Sequence, residues 1–433
     1  MKTTHPAILP VALFLAGALA IVLGLGAARS TQPVQRTPAP EAASTTAPAN
    51  EAPTATAVAT AVQAAPDPAF LETFDGNPSA PQPWKASNWD VTVHSRDVGT
   101  WEELEPVAAM HGSDCSAPPS THMVSSYDDA VFLCRNHLMT AIKAEGYGVI
   151  YLTPNQMVDF SSGEAVVRFD LSTLRTSQRD WVDLWITPYS DQLQLPLEDW
   201  LPDLSGVPRN AIHVRMNSFN DGTNFNVFVI KDFVATELPG QSWVGYESML
   251  TPDAKRRDTF ELRISRGHIQ FGMPAYHFSW VSADMPELGW ECGVVQFGHH
   301  SYNPSKSDGC GSVCEPNTWH WDNISISPAQ PFSILRADRR SVGPDTTGSV
   351  NFPAPAPQEA HLRFAGIGVA LEVSFDGGAN WQAAQLQAQK GLNEDHFKSY
   401  WMPVPAGTSS VQFRGTDWWG GPWQVRDISI WAK

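Results

Sequence analysis

The sequence is poor in positive charge. Lysine and arginine together number 28 against 45 aspartates and glutamates, a formal net charge of −17 over 433 residues. No run of basic residues interrupts that balance. Nucleic-acid binding needs a basic stripe to displace counterions, so that function class is excluded. By itself the acidic excess says only that the surface is well solvated. Charged residues make up 17% of the chain and hydrophobic ones 42%, which is enough for sizeable cores. Long segments of 3.6-residue period are missing, which argues against a helical bundle. Cysteine is scarce, at five residues. No loop is dense enough in Asp and Asn to demand calcium, so no cofactor is expected and calcium is permitted rather than required. Tryptophan runs the other way, with 17 residues. Indole packs cores, but it also offers a flat apolar face to the C–H side of a sugar ring while its N–H bonds a hydroxyl.

Lys2 precedes an uncharged apolar run from Ala7 to Ala28, roughly long enough to cross a bilayer as a helix. Residues 1–28 read as a signal peptide or a membrane anchor. Gly26 and Ala28 are small enough for a signal peptidase, and the length of the run favours an anchor. Residues 29–69 are dominated by Ala, Thr and Pro, with too little bulky apolar surface to offset the entropy of ordering. They read as a disordered stalk. A secreted or cell-surface location follows, with the membrane engaged only through the N-terminal segment. The cysteines agree with an oxidising compartment. Cys115 is paired with Cys134 and Cys310 with Cys314, which leaves Cys292 as the odd thiol. The alternative is a zinc site of Cys310, Cys314, His299 or His300, and His320. The Cys-x3-Cys spacing permits it, but no second close pair completes the pattern.

From Phe70 onward, short alternating segments are bounded by Gly, Pro, Asn and Asp, the mark of antiparallel sheets. Strands are expected over Tyr147–Thr153, Ala165–Leu171, Trp181–Thr187, Ala211–Asn217, Asn224–Lys231, Phe260–Ser265, His268–Met273, Val294–Gly298 and Trp319–Ser327. Arg266-Gly267 reads as a hairpin turn, and a short helix is expected near Pro252–Arg257. Ser327–Pro331 looks like a boundary. The remainder repeats the style over His361–Phe364, Leu371–Phe375, Val411–Arg414 and Gln424–Trp431. The fold class is therefore all-β: a jelly-roll sandwich over 70–328 and a smaller accessory β-sandwich over 329–433. The first closes with WDNISIS and the second with VRDISIW, so each ends in an equivalent strand.

Strand parity picks out candidate chemistry. In DWVDLWITP, Val182, Leu184 and Ile186 turn one way; Trp181, Asp183 and Trp185 turn the other. Two indoles flanking a carboxylate on an outer face make a sugar platform, unless a loop covers them and Asp183 is salt-bridged to Arg168. Arg168 and Asp170 share a face, as do His213 and Arg215. With Val295 and Phe297 inward, Gln296 and His300 point outward, followed by Tyr302. If these strands are neighbours, they form a polar, aromatic-lined groove suited to an extracellular polysaccharide.

The strand rhythm, the opening FLETFDG and the closing TWHWDNISI, over about Phe70 to Pro328, resemble the concanavalin A-like lectin/glucanase superfamily. The resemblance implies a jelly roll and a carbohydrate ligand. In many hydrolases of that superfamily it also implies Glu-x-Asp-x-x-Glu on one strand, with nucleophile and acid/base on one face. That motif is absent here. The nearest segment, Asp180-Trp181-Val182-Asp183, turns its carboxylates to opposite faces. Hydrolysis would rely on Asp170 and Asp183 from adjacent strands, since retaining hydrolysis needs carboxyls about 5–5.5 Å apart and inverting about 6.5–9.5 Å. A polysaccharide lyase would instead use His213, His300 or Tyr302 for proton transfer, with Arg215 and Gln296 neutralising a uronate.

In the second sandwich, Ser374–Trp381 (SFDGGANW) is similar to the Asp-box hairpin of sialidases and other extracellular β-proteins, which implies that Asp376 bonds turn amides. Trp418, Trp419 and Trp423, with Trp401 and Trp431, offer an aromatic strip for a glycan. The alternative for them is an inter-domain contact or a core plug. Three functions compete: glycan binding without catalysis, glycoside hydrolysis or lysis, and a structural or adhesive surface role.

Overall fold

The computed structural model describes residues 69–76, 82–84, 86–95, 131–133, 136–142, 147–175, 180–196, 206–217, 225–240, 258–302, 317–344, 348–392 and 396–433. The expected N-terminal segment, nearly all of the linker, both cysteine pairings and the short helix near 252–257 lie outside these residues. Among the described residues the regular elements are strands, apart from single 3-10 turns such as Tyr189–Asp191.

Strands are numbered in chain order. One nine-stranded sheet runs β16 (Phe278–Asp284), β15 (His268–Met273), β14 (Asp258–Ser265), β8 (Ala165–Arg175), β18 (Asn317–Ser327), β5 (Leu138–Ile142), β4 (Val131–Leu133), β2 (Gln82–Pro83), with β1 (Phe70–Glu72) beside β18. A second nine-stranded sheet runs β13 (Val234–Glu237), β12 (Phe225–Lys231), β11 (Ala211–Asn217), β9 (Asp180–Pro188), β17 (Cys292–Tyr302), β6 (Tyr147–Pro154), β3 (Trp89–Ser95). At its margin β7 (Gln156–Asp159) pairs both β17 and β19 (Ala329–Pro331). The smaller sandwich has a third sheet, β20 (Ser333–Arg336), β29 (Gln424–Ala432), β23 (Ala360–Ile367), β27 (Lys398–Val404), with β21 (Ser341–Val342) on β29. Its fourth sheet is β22 (Ser349–Asn351), β28 (Ser410–Thr416), β24 (Val369–Ser374), β25 (Gln382–Ala383). A two-stranded piece, β10 (Val207–Pro208) with β26 (Gln389–Lys390), joins the two sandwiches.

The alternation read from sequence builds the cores. Val182, Leu184 and Ile186 of β9, Val295 and Phe297 of β17, and Ile212 and Val214 of β11 turn inward from the second sheet. Val167, Phe169 and Leu171 of β8 and Leu262 and Ile264 of β14 meet them from the first. The smaller sandwich has its own core around Leu362, Phe364, Val373, Val411, Trp423 and Ile430. Arg266-Gly267 is the expected hairpin turn, with Gly267 at φ +97° where a side chain would be strained.

The echo between the closing strands has a structural cause. Asn323 and Asp427 occupy the same place in WDNISIS and VRDISIW, and both are left-handed, at φ 47° and 52°. Each marks a shift of register, β18 against β8 and β29 against β23. Asn and Asp tolerate that conformation better than other side-chain-bearing residues, and a bulge needs it.

Candidate functional site

The second sheet gathers most of the expected groove residues on its outer face. Along one row His213, Trp185 and Gln296 are direct neighbours on β11, β9 and β17; along the next, Arg215, Asp183, Gly298 and Tyr151. His300 faces Trp181 in the row beyond. Tyr302 ends β17 opposite Tyr147.

Asp183 is the centre of this face. Trp185 Nε1 donates to its Oδ2 at 2.8 Å. His300 Nε2 lies 2.9 Å and His213 Nε2 3.3 Å from the same oxygen. The Tyr151 hydroxyl donates to the carbonyl of Pro196 at 2.8 Å and stands 3.2 Å from His300 Nε2. Burial pushes the Asp183 carboxyl up, but the charge of His300 and the hydrogen bonds from His213 and His300 outweigh it and hold it well below the usual carboxylate range. Gly298 makes room for the group: a Cβ there would meet Asp183 Oδ1 at 1.9 Å. Among the described residues, Asp183 Oδ1 and His300 Nδ1 have no hydrogen-bond partner.

The open platform expected of this face is not there. Trp181 is 5% exposed, Trp185 1% and Asp183 2%. Each indole is stacked on an imidazole, Trp181 on His300 at 4.6 Å and Trp185 on His213 at 3.7 Å, both pairs 9° from parallel. Leu195 and Val207 pack over Val149, Tyr151, Trp181 and Trp185. The segment carrying Leu195 is in turn clasped by the smaller sandwich. Gln194 N donates to Ser399 Oγ at 2.9 Å, Gln387 Nε2 to Ser190 O at 2.9 Å, and Arg363 to Leu193 O. Uncovering both indoles would expose roughly 300–500 Å² of aromatic surface, about 7–12 kcal/mol as an upper bound. Stacking a ring on each would return only about 0.5–1.5 kcal/mol apiece beyond area, so the sealed arrangement wins.

Two further expectations are corrected. Arg168 and Asp170 lie on β8, in the first sheet, and point away from the core on the opposite side of the sandwich from Asp183. Arg168 pairs with Glu261, not Asp183. Asp170 accepts from Thr259 Oγ1 at 2.6 Å and Asn323 Nδ2 at 2.7 Å. Asp170 and Asp183 are thus separated by the hydrophobic core and form no catalytic pair. Of the rest, Gln296 donates to Thr153 Oγ1 at 3.2 Å, and Arg215 sits 5.4 Å from the Phe228 ring centre. The zinc alternative loses its histidine cluster: His299 Nδ1 lies 3.0 Å from Thr140 Oγ1, His320 Nδ1 2.7 Å from His137 Nε2, and His300 is on Asp183. Among the described residues no group of three His, Cys, Asp or Glu side chains is arranged around a metal.

Sequence reasoning missed Tyr151 and Gly298. The parity of YGVIYLT places Tyr151 outward with Val149, so its share of the face was readable. Gly298 shares the outward parity of Gln296 and His300, but its role appears only in the register that sets it against Asp183.

The expected aromatic strip of the smaller sandwich divides three ways. Trp423, 6% exposed, plugs the core. Trp431, fully buried, and Trp401 lie in the seam with Tyr189 and Val294 of the larger sandwich and with Phe332, between β19 and β20. Trp418 and Trp419 remain at a hairpin tip, their rings 5.1 Å apart and 77° from parallel, with Trp419 78% exposed. The tip is held by reciprocal backbone hydrogen bonds between Trp418 and Gly421, and by Asp417 Oδ1 accepting from Trp423 N at 3.1 Å. The Asp-box hairpin forms as expected: Asp376 Oδ1 accepts from Asn380 N at 2.8 Å, and Gly377 and Gly378 are left-handed.

No protein-family model matches the chain, and no curated protein matches it. Among solved structures it is similar to a glycoside hydrolase family protein from Mycobacterium thermorestibile, at 11% identity over 60% of this chain and 99% of that one, with a TM-score of 0.35. It is similar to LamAcat from Zobellia galactanivorans, at 10% identity over 60% and 96%, TM-score 0.37. A third likeness is the carbohydrate-binding module CBM66 from Bacillus subtilis, at 8% identity over 44% and 85%, TM-score 0.26. These are likenesses of strand arrangement, and chemistry does not travel with a fold. The chain is an all-β protein of two joined sandwiches.

Proposed function

We propose that this is an exported, surface-held glycan-binding protein that does not hydrolyse what it binds, and that its contact with polysaccharide is the Trp418–Trp419 hairpin. The observation that carries the reading is Trp419, 78% exposed beside a second indole on a braced hairpin. It serves neither the core nor the seam. Such a surface is costly in water and suits the apolar face of a sugar. Against hydrolysis stands the second sheet's central carboxylate: it is sealed, bonded to two imidazoles and an indole, and among the described residues no second carboxylate is bonded into that cluster. The lyase alternative keeps His213, His300, Arg215 and Gln296 on one face, with Tyr151 as the hydroxyl, but all of these except the half-buried Arg215 are buried.

The test is retention of purified protein on a panel of insoluble polysaccharides, with the supernatant assayed for new reducing ends and unsaturated products. Binding without products is expected, and it is lost in the Trp418→Ala/Trp419→Ala double variant and kept in Asp183→Asn. Reducing ends that disappear in Asp183→Asn contradict the reading in favour of hydrolysis, and unsaturated products that disappear in Tyr151→Phe favour lysis. Surface proteolysis of whole cells checks the location: release of the folded part is expected, and full protection contradicts export.

A further inference from the structure

The hairpin tip between β28 and β29 reads Asp417-Trp418-Trp419-Gly420-Gly421-Pro422, and its two indoles are not equivalent. Trp418 is half-buried and folded back on its own turn. A Cβ at Gly420 would run into three atoms of the Trp418 six-membered ring, so that ring lies against the Gly420 backbone, a close approach that needs glycine. Trp419 stands away from the turn, 78% exposed. Its ring centre is 5.1 Å from that of Trp418, and the two planes are 77° apart.

That angle decides what kind of surface fits. A crystalline polysaccharide presents a flat array of sugar faces, and such an array engages two indoles together only when their faces are coplanar. Here a flat surface laid on Trp419 cannot also lie on the face of Trp418. The other four indoles of residues 329–433 do not extend the plane. Trp423 plugs the core, and Trp401 and Trp431 lie in the seam. Trp381 is capped by the Arg414 guanidinium, 4.3 Å from its ring centre. One sugar ring on one indole is therefore the unit of contact.

Charge narrows the ligand further. The six tip residues carry one carboxylate and no cation. Arg414, the cation of β28, is held by the Trp381 ring and by Glu372, whose Oε2 accepts from its Nε at 2.6 Å. An acidic sugar would meet Asp417 with nothing at the tip to neutralise it. Thr416, Asp417, Trp419, Gly420 and Pro422 are all exposed, so the tip encloses no chain end and suits units within a chain.

We propose that the hairpin reads one sugar ring at a time through Trp419, with Trp418 as a positioning residue, and that its ligand is a neutral polysaccharide with individually accessible chains rather than a crystalline surface. The inference rests on the reading of the hairpin as the glycan contact.

The experiment mixes the intact protein with cellulose and chitin, each in crystalline and acid-swollen form and normalised to accessible surface. Affinity electrophoresis through soluble β-glucan, galactomannan, xylan and polygalacturonate runs in parallel. Retention is expected on swollen or soluble neutral polymer and not on crystalline polymer. Affinity for oligosaccharides of increasing length should rise only in proportion to the number of units, because each unit is an alternative site and not an added contact. Trp419→Ala should weaken binding at least about tenfold, and Trp419→Tyr, which keeps a flat ring, by no more than about threefold. Trp418→Ala should weaken it about threefold, since it removes only the edge-to-face brace. Preference for crystalline polymer or for polygalacturonate, a steep gain with chain length, or equal losses in Trp418→Ala and Trp419→Ala would overturn the inference while leaving the hairpin as the contact. Retention by no polymer, or retention indifferent to both indoles, would sink the hairpin reading itself.

Discussion

Two pairs of indoles beside a carboxylate meet opposite fates. On β9, Trp181 and Trp185 flank Asp183 and are 5% and 1% exposed. At the β28–β29 turn, Trp418 and Trp419 follow Asp417, and Trp419 is 78% exposed. Sequence makes the first look like the platform, because alternation turns its indoles away from the core. Alternation assigns a side chain to a face; it does not say what lies on that face. Here Leu195 and the smaller sandwich lie on it, and the indoles spend their flat surfaces on His213 and His300. Among the described residues no such layer covers Trp419.

The comparison breaks first at Asp183. Removing one member of a buried ionic cluster costs about 3–5 kcal/mol, so Asp183→Ala should lower the denaturant midpoint sharply. A change within about 0.5 kcal/mol would mean an open, solvated face. The same group sets a pH dependence. Its folded pKa is depressed, so its contribution is fully present above the unfolded value of about 3.9 and is lost as pH falls through the folded one. The stability gap between wild type and Asp183→Asn should therefore hold steady from neutral pH down to about 5 and shrink below about 4. A gap that closes between pH 6 and 7 would contradict this.

Gly298→Ala comes next. Its methyl would press on Asp183 Oδ1, and overpacking of this kind costs about 1–3 kcal/mol. Equilibrium unfolding reads it directly, and a neutral result would mean that Asp183 swings freely. The hairpin should behave in the opposite way. Trp418→Ala/Trp419→Ala should shift stability by no more than about 0.5 kcal/mol while abolishing polysaccharide retention. A large loss of stability would reveal a packing role instead. The smallest effect concerns Cys292, beside the seam. Burial, with Asp159 adding, pushes its thiol up to about 11. Alkylation by iodoacetamide at neutral pH should be far slower than that of an ordinary thiol and should accelerate on unfolding, as read by peptide mapping.

Much of the fold was legible because period-two alternation is local. Ala211–Asn217 and His268–Met273 match their expected bounds, and β9 and β17 extend theirs by residues that add to the same ladders. That Asp183, His213, Arg215, Gln296 and His300 turn away from the core was legible from parity; that their strands are neighbours was not. Nor was sheet membership. Successive strands of a jelly roll cross between layers, so β8 and β9 are neighbours in sequence and belong to opposite sheets, which removes Arg168 and Asp170 from the site. The covering of Trp181 and Trp185 was illegible for a different reason. It comes from Leu195, an unremarkable loop residue whose position is fixed by partners about two hundred residues away, such as Ser399 on Gln194. The WDNISIS and VRDISIW echo reflected matching left-handed bulges, a backbone property that a short motif records faithfully.

The most direct measurement is indole ¹⁵N–¹H NMR of the folded protein, with signals assigned by single Trp→Phe variants, during titration with the polysaccharide that retains it. The Trp418 and Trp419 signals should move first, while those of Trp181 and Trp185 stay in place and exchange slowly with solvent. Early movement of Trp181 and Trp185, with the hairpin pair unperturbed, would contradict the account.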